Sequence, residues 1–155
     1  MRTWLFKSEP SVFSVDDLRR APHGTGGWDG VRNYQARNLL RDEVKIGDRV
    51  VFYHSNAAPP GIAGEAVVTR AGYPDATALD PRHHGYDPKS RAGAPTWYQV
   101  DVRFVRACRT LIPLDHLRTI PALSRMMLLR RGSRLSIQPV TAAEWAAIAA
   151  LPEWR

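Results

Sequence analysis

Hydrophobic and polar side chains alternate most regularly from Tyr98 to Phe104, where Val100 and Val102 fall between polar or charged neighbours. A period of two is typical of a strand with one buried face and one face in water, as in an antiparallel sheet or barrel. The pattern therefore predicts a strand over these residues. Cys108 follows soon after and is expected to lie at the strand's end as a structural residue.

Shorter apolar runs predict further strands. They are TWLF at residues 3–6, DRVVFYHS at 48–55, IAGEAVVTRA at 62–71 and SRLSIQPV at 133–140. In the second run, Val51 and Tyr53 share one face of the strand, whereas Val50 and Phe52 share the other. Gly64 inside the third run indicates a bulge or a close backbone approach, and the proline in the last run places that strand at a sheet edge.

Helices are predicted from capping residues and from apolar side chains spaced three and four apart. Ser14 is expected to cap a short helix over SVDDLRR, and Thr141 with Glu144 forms a capping box ahead of the closing helix. Val31 is expected to open a helix whose apolar residues follow at helical spacing. Pro121 suits the first position of another helix over PALSRMMLLRR.

Glycine and proline mark the segments between these elements. Residues 21–27 are expected to form a loop, and 72–96 form a longer loop that is typically functional or mobile. No repeat or linker divides the chain, and 155 residues suit one domain. We therefore expect a single α+β domain over residues 1–155, built on a small, curved and mostly antiparallel sheet flanked by short helices.

The net charge is +7, from 22 basic and 15 acidic residues. A basic protein of this size is attracted to polyanions, and nucleic acid is the commonest polyanion in a cell. Lysine occurs only at positions 7, 45 and 89, so the charge comes mainly from arginine, which binds phosphate and stacks on bases. A GC-rich genome produces the same arginine bias without functional meaning, so the charge favours nucleic acid only modestly.

The single cysteine, Cys108, excludes an intrachain disulfide and fits a reducing compartment. No secretory signal is visible at the N-terminus, so a cytoplasmic location is predicted. No apolar run approaches the roughly 18 residues that a membrane span needs, and no membrane partner is expected.

The stretch WDGVRNYQARN, residues 28–38, gathers the most diverse chemistry. Trp28 precedes a predicted helix N-terminus, where free backbone N–H groups favour anions and other acceptors. Arg32 and Asn33 are expected in the first turn of that helix and add side-chain donors. A flat aromatic beside donors suits a planar, polar ligand such as a nucleobase. The alternative is a core tryptophan beneath a loop with two solvated polar residues, and these residues alone do not decide between the two.

Catalytic and metal-binding patterns are weak. His54 and Ser55 are adjacent in sequence, so on a strand they point to opposite faces and cannot form a nucleophile–base pair with each other. The histidine pair at 83–84 lacks the spacing of a structural zinc site and no metal is expected there. Glu9 lies at a strand end beside a lysine and a serine, where it suits either a base edge or solvent.

Aromatic residues give a stronger pattern. Trp28, Tyr53 and Trp97 each stand next to a turn or loop, among small polar residues. Aromatic side chains in such places can enclose a base, and each stacked base is worth roughly 1–3 kcal/mol. Core packing is the alternative interpretation for each of them.

Seven motifs occur in an order that resembles the EVE domain family. They are FKSEP, WDGVRNYQARN, FYHSN, PGIAGEAVV, YDPKS with a following PTW, VDVRFVR and RLSIQPVT. Together they cover nearly the whole chain, from residue 4 to residue 145. The resemblance implies a PUA-like fold, which is a strongly curved or barrel-like sheet flanked by short helices.

The same resemblance implies kinship with YTH domains, which hold a modified adenine of RNA in an aromatic cage. In this sequence Lys7 and Ser8 match the Lys-Ser at the end of the first strand of those domains. Trp28 is similar to the cage tryptophan before the helix, Trp97 to the second cage aromatic, and Asn33 is the candidate for the cage asparagine. EVE domains are associated with reading modified bases, chiefly modified cytosine in DNA.

The resemblance therefore favours a non-enzymatic reader that holds a modified base flipped out of DNA or RNA. The residues expected to bind the base are Lys7, Ser8, Glu9, Trp28, Arg32, Asn33, Tyr53, His54, Ser55 and Trp97. Arg37 and Arg134 are expected to hold the nucleic-acid backbone. No cofactor is expected, and the protein is expected to be a monomer or a weak dimer.

Two alternatives stay open. PUA-like ASCH domains include amidohydrolases that act on modified nucleosides, and Lys7 with Glu9 would supply a nucleophile and an acid–base group. A module that works through a partner chain, as in toxin or restriction systems, is the other. Turnover of modified cytidines distinguishes the enzyme from the reader.

Overall fold

The computed structural model of the protein describes residues 1–155 and contains one six-stranded sheet. The strands are, in chain order, Thr3–Ser8 (β1), Thr25–Gly27 (β2), Arg49–His54 (β3), Gly61–Pro74 (β4), Tyr98–Pro113 (β5) and Ile137–Val140 (β6). Their order across the sheet is β2-β5-β4-β3-β1-β6. β1 and β3 pair in parallel and the other pairs are antiparallel, which confirms the mostly antiparallel α+β class.

Some strand boundaries differ from the prediction. Strand β5 continues to Pro113, so Cys108 lies inside it and not at its end. The segment expected to be a loop over residues 21–27 ends in β2, a short edge strand that pairs with β5. Strand β6 lies at the opposite edge of the sheet, which confirms the interpretation of its proline, Pro139.

Gly64 marks a bulge in β4, as predicted. The register of β4 against β5 shifts between Ile62 and Gly64, and again further along the pair. A Cβ atom at Gly64 would lie 2.4 Å from the carbonyl oxygen of Arg106, so only glycine allows this approach. Bulges bend a strand and increase its twist, and they give the long β4–β5 pair its curvature.

The α-helices are short and peripheral. They are Val15–Arg20 (α1), Tyr34–Asn38 (α2), Leu114–Leu117 (α3) and Ala142–Ala149 (α4). The predicted caps at Ser14 and Thr141 are confirmed, and each forms a reciprocal capping box. No α-helix has both the length and the apolar surface that crossing a membrane requires, and the longest, α4, has 8 residues.

The helix expected to open at Val31 begins later. Asn33 is the N-cap of α2, because its side-chain oxygen accepts a hydrogen bond from the backbone N–H of Ala36 at 2.9 Å. The preceding residues are not helical, and Gly30 among them has φ +78°, so an irregular segment separates Trp28 from the helix. Helix α2 then continues into a π-helical turn over Leu39–Glu43.

The prediction of one helix starting at Pro121 is also wrong. The chain instead forms two separate 3-10 turns, Pro121–Leu123 and Met127–Leu129. Met126 between them has an extended backbone, with φ −61° and ψ 136°, and this conformation prevents one continuous helix. The arginines after the second turn are therefore presented on a loop.

Each face of the sheet carries its own hydrophobic cluster. Val50 and Phe52 belong to the cluster that contains Trp28, whereas Val51 and Tyr53 belong to the other cluster. This confirms the alternation predicted for β3. Adjacent residues of β3 therefore serve opposite sides of the sheet, and a cavity lies on each side near the end of β1.

Candidate functional site

The first cavity, hereafter the tryptophan cavity, has a volume of about 470 Å³. It opens where β1 ends and where β2 leads into the irregular segment before α2. The cavity is lined by Lys7, Ser8, Val12, Phe13, Gly26, Gly27, Trp28, Asp29, Gly30, Val31, Arg32 and Ser136. The fold thus brings the FKSEP and WDGVR motifs together in one site.

Trp28 forms the aromatic wall of this cavity. The centroid of its ring lies 5.2 Å from those of Phe6 and Phe52, and 6.2 Å from that of Phe13. Its backbone N–H donates to the carbonyl oxygen of Val100 at 2.7 Å, and only 6% of the residue is exposed. Trp28 is therefore both a core residue and part of the cavity wall. The core-packing and ligand-binding interpretations of this tryptophan are compatible.

Two glycines, Gly26 and Gly27, line the cavity beside this wall. A Cβ atom at Gly26 would lie 3.4 Å from the ring of Phe13. A Cβ atom at Gly27 would lie 3.2 Å from the side-chain oxygen of Gln99 and 3.5 Å from the hydroxyl of Tyr73. A side chain at Gly26 would meet the Phe13 ring that lines the cavity, whereas one at Gly27 would press on residues outside the lining.

Asp29 places an unpaired carboxyl group at the mouth of the cavity. Its side chain lies at the rim, with one part in water and another against the protein, and no hydrogen-bond donor or ion-pair partner within the protein holds it. Partial burial and, after it, the nearby carboxylate of Asp75 raise the pKa of Asp29, whereas His83 and Arg32 oppose the shift. The group is therefore free to bind a ligand and accepts a proton more readily than an ordinary aspartate.

Arg32 lines the cavity, but its side-chain N–H groups form hydrogen bonds within the protein. Its guanidinium donates to the carboxylate of Asp75 at 3.0 Å, to the hydroxyl of Thr77 at 3.1 Å and to the carbonyl oxygen of Gly85 at 2.8 and 3.0 Å. Asp75 also accepts from the backbone N–H of Gly30 at 2.9 Å. The network ties the cavity wall to the segment after β4.

The environment of Asp75 stabilises its ionised carboxylate. Its side chain has no exposed surface. Burial acts to raise the pKa of Asp75, but hydrogen bonds from Thr77, Gly30 and Arg32 outweigh burial and lower it. The carboxylate is thus a buried anion satisfied by donors from separate segments of the chain, and it anchors the cavity wall.

Lys7 and Ser8 lie together at the end of β1, as predicted, and both line the tryptophan cavity. The hydroxyl of Ser8 donates to the carbonyl oxygen of Phe13 at 2.6 Å and closes the turn that leads to α1. The ammonium group of Lys7 donates to the carbonyl oxygen of Ser133 at 3.4 Å. Burial lowers the pKa of Lys7.

Glu9 and Asn33 are predicted base-binding residues that the structure does not bring to the cavity lining. The carboxylate of Glu9 accepts from the amide of Asn56 at 3.0 Å on the exposed surface. Asn33 uses its side-chain oxygen to cap α2. Both residues have local roles that explain their presence without a ligand.

The predicted base-binding residues Tyr53, His54 and Ser55 of the FYHSN motif do not come together in one site. Tyr53 faces the second cluster and lines a different cavity, together with Arg134. The ring nitrogen Nε2 of His54 accepts from the backbone N–H of Val15 at 3.1 Å, and burial lowers the pKa of His54. Ser55 extends the pairing with β1 through its backbone N–H. The predicted cage of two tryptophans and Tyr53 is therefore not assembled as one wall.

Trp97 and Arg37 lie beyond Arg32, outside the cavity lining. Trp97 is buried, stacks on Tyr34 with ring centroids 4.9 Å apart, and donates its indole N–H to Asp87 at 2.7 Å. Arg37 donates to the carbonyl oxygen of Thr96 at 2.6 Å. Both stabilise the contact between α2 and the segment before β5, and their roles in binding stay predictions.

The lining residues that sequence reasoning missed are mostly neighbours of residues that it found. Asp29 and Gly30 lie within the WDGVRNYQARN stretch but were interpreted only as a turn. Val12 comes from a turn that carries no local signal of its own, whereas Ser136 lies in the run predicted as a strand over 133–140 but forms a bend before β6. Gly26 and Gly27 were assigned to a loop, although paired glycines before an aromatic residue are a usable sign of a close approach.

The architecture and the cavity at the ends of β1 and β2 define the class of protein, a PUA-like α+β domain. The sequence profile of the EVE domain matches residues 2–151. Human thymocyte nuclear protein 1 is 43% identical over 167 residues, which cover 97% of this chain and 73% of that protein. The chain therefore belongs to the EVE domain family, as the motifs indicated.

Solved structures agree with this assignment. A protein from Pseudomonas putida is 47% identical, with a TM-score of 0.92, over 97% of this chain and 99% of that chain. The human THYN1 protein in complex with DNA that contains 5-methylcytosine is 42% identical, with a TM-score of 0.91, over 100% of this chain and 99% of that chain. An ASCH protein from Zymomonas mobilis, 14% identical with a TM-score of 0.55, shares the fold alone.

Proposed function

We propose that this protein is a non-enzymatic reader that holds a flipped, modified cytosine of DNA, such as 5-methylcytosine, in the tryptophan cavity. The observation that carries the proposal is the position of Trp28 and the unpaired Asp29 side by side in one open cavity. The human relative bound to 5-methylcytosine DNA, similar over the whole chain, supports the choice of ligand.

Stacking on Trp28 offsets the cost of flipping. Extruding a base from a duplex costs a few kcal/mol. A base stacked on an aromatic side chain recovers roughly 1–3 kcal/mol, and buried hydrogen bonds to the base edge contribute further. Phe6, Phe52 and Phe13 hold the tryptophan in place, so the wall is ordered before the base arrives.

Asp29 supplies the group that distinguishes cytosine. The edge of cytosine presents an amino donor at N4 and an acceptor at N3, so a carboxyl group pairs with both atoms only when one proton is shared between them. Because the pKa of Asp29 is raised, the carboxyl group takes up that proton more readily than an ordinary aspartate does. Thymine presents the opposite order of donor and acceptor and fits this pairing less well.

Comparing matched oligonucleotides tests the proposed function. Duplexes that carry 5-methylcytosine, cytosine or thymine at one position are titrated at fixed, stated salt, because basic proteins bind phosphate without specificity. The expected result is tighter binding to the 5-methylcytosine duplex than to the other two. Equal affinities for all three would overturn the proposal, and preference for the modified base in an RNA strand would transfer it to RNA.

Asp29→Asn is expected to remove the pH dependence of binding. As the pH falls from neutral toward the raised pKa of Asp29, the wild-type affinity for the cytosine base should rise by up to about tenfold per pH unit, since one proton is taken up. The asparagine amide mimics the protonated acid, so the variant should bind with little pH dependence and discriminate less against thymine. Fluorescence anisotropy over a range of pH values measures both effects.

Asp115→Asn is the matched control, because Asp115 is an exposed aspartate of α3 that lines neither cavity. It makes the same change in charge and should keep the wild-type pH profile. A pH profile of Asp29→Asn that matches wild type would show that Asp29 does not share the proton.

No observation favours the amidohydrolase alternative. Lys7 contacts the carbonyl oxygen of Ser133, whereas the carboxylate of Glu9 contacts Asn56, so the two groups do not form a catalytic pair. The cytoplasmic location, RNA binding and the monomeric or weakly dimeric state stay predictions from the sequence.

A further inference from the structure

A second cavity of about 520 Å³, hereafter the arginine cavity, lies on the other face of the sheet. It is lined by Lys7, Tyr53, Leu114, Arg118, Leu128, Leu129, Arg130, Arg131, Gly132, Ser133 and Arg134. These lining residues include four arginines and a lysine but no aspartate or glutamate. The cavity is therefore a concave surface of one sign of charge, which attracts anions.

The arginines of this cavity differ from those elsewhere in the chain. Arg32 and Arg49 are paired with the carboxylates of Asp75 and Glu65 at 3.0 and 3.2 Å. The four cavity arginines, at positions 118, 130, 131 and 134, are exposed, and none has a carboxylate partner within 4.0 Å. Like charges held together without a counter-charge repel each other, and a bound anion relieves that repulsion.

The loop that carries three of these arginines is held in place by hydrogen bonds from the buried Gln138 and from Lys7. Gln138 is 1% exposed, and its side-chain N–H groups donate to the hydroxyl of Ser133 at 3.1 Å and to the carbonyl oxygen of Leu135 at 2.8 Å. Lys7 donates to the carbonyl oxygen of Ser133 from the other side. An ordered loop presents its arginines at a lower entropic cost of binding than a free one.

The floor of the arginine cavity is apolar and aromatic. Tyr53 is 3% exposed and lines this cavity together with the leucines at positions 114, 128 and 129. Burial raises the pKa of Tyr53, and the charge of Arg118 opposes that shift. The hydroxyl of Tyr53 is thus neutral in the cavity that the arginines line.

Lys7 connects the two cavities, because it lines both of them. A strand whose flipped base entered the tryptophan cavity would bring its next phosphates past the end of β1, toward Lys7 and the loop at 130–134. The phosphodiester backbone is the one polyanion that a bound strand brings to this edge.

We propose that the arginine cavity binds backbone phosphates of the nucleic-acid strand adjacent to the flipped base. This site rests on the proposed function and deepens it, since it assigns the path of the strand across the end of β1. Arginine suits the task because its planar guanidinium can bind a phosphate through two parallel hydrogen bonds.

The double variant Arg130→Gln with Arg131→Gln tests this site. Both residues are exposed and make no ion pair, so the fold should be preserved. We expect the affinity for a 5-methylcytosine duplex to fall roughly tenfold, and the slope of log affinity against log salt to decrease by about 2, because each lost phosphate contact removes about 1. The ratio of affinities for modified and unmodified duplexes should not change.

Arg20→Gln with Arg109→Gln is the matched control, since both arginines are exposed and lie outside the two cavities. An unchanged salt slope in the cavity variant, or an equal loss in the control, would overturn the phosphate site. Deoxycytidine monophosphate serves as a further probe: binding that needs Arg130 and Arg131, combined with a wild-type salt slope on DNA, would reassign the cavity to free nucleotides and overturn the proposal.

These readouts separate the two proposals. The affinity ratio of modified to unmodified duplex reports on the tryptophan cavity, whereas the salt slope reports on the arginine cavity. A wild-type protein without preference for the modified base would overturn the reader function alone, and an unmodified duplex would still measure the salt slope.

Discussion

Trp28→Ala is expected to abolish the preference for a modified base, with an affinity loss on the order of 10- to 100-fold, because a stacked base contributes roughly 1–3 kcal/mol. The same substitution removes core contacts with Phe6 and Phe52. Truncating a buried tryptophan typically costs about 3–5 kcal/mol of the free energy of unfolding. Loss of binding and loss of stability must therefore be measured together, by titration and by denaturant unfolding.

Trp28→Phe separates the two effects, since phenylalanine keeps an aromatic ring in the core but offers less area to a base. It should stay folded and show an intermediate loss of affinity for the 5-methylcytosine duplex. Trp97→Phe is the control, because Trp97 is equally buried but lies outside the cavity lining. A well-folded Trp28→Phe protein with wild-type affinity would reject the assigned wall, and selective loss in Trp97→Phe would restore Trp97 as a cage residue.

Asp75→Asn is expected to destabilise the protein by about 1.5–3 kcal/mol, because it weakens a buried, charge-assisted acceptor. Arg32, by contrast, is 25% exposed and keeps its bonds to Thr77 and Gly85. The substitution takes the charge partner from Arg32 and replaces an acceptor that also serves Gly30 and Thr77. Urea unfolding at neutral pH measures the loss. Binding to DNA should weaken as well, since Gly30 and Arg32 both line the tryptophan cavity.

The pH dependence gives the Asp75 prediction a second readout. The pKa of Asp75 is lowered in the folded protein, so its stabilising effect is present above the unfolded pKa of about 3.9 and is lost as the pH falls through the folded value. In Asp75→Asn, the free energy of unfolding should no longer show this loss at acidic pH.

Asp42→Asn is the control for Asp75. The ion pair of Asp42 with Arg41 is shorter, at 2.8 Å against 3.0 Å for Asp75, but it is exposed, so solvent screens it and stability should hardly change. Equal stability losses in the two variants would show that burial does not set the importance of Asp75.

Local patterns predicted the parts of the fold that local physics decides. The alternation in β3 correctly assigned Val51 and Tyr53 to one face and Phe52 to the other. The capping residues Ser14 and Thr141 correctly marked two helix starts. At Asn33, by contrast, the apolar spacing suggested an earlier helix start, whereas the side-chain cap decides where α2 begins.

The site could be predicted only in part, because its walls come from distant segments. Trp28, Lys7 and Ser8 were found from the sequence, and all three line the tryptophan cavity. Tyr53 was placed with them because it lies near a strand end, but which face of β3 meets Trp28 depends on tertiary packing. The partners of Arg32 lie more than 40 residues away in sequence, at Asp75 and Gly85, so no local pattern reveals them.

The Arg32–Asp75 network also makes two distant loops behave as one cooperative unit. Asp75 accepts from the backbone N–H groups of both Gly30 and Thr77, and Arg32 joins this carboxylate to the carbonyl oxygen of Gly85. Opening the segment after β4 therefore releases the wall of the cavity at the same moment. A ligand that holds Gly30 and Arg32 would slow amide exchange far from its own contacts, so the rigidity of the 75–85 segment becomes a remote indicator of whether the cavity is occupied.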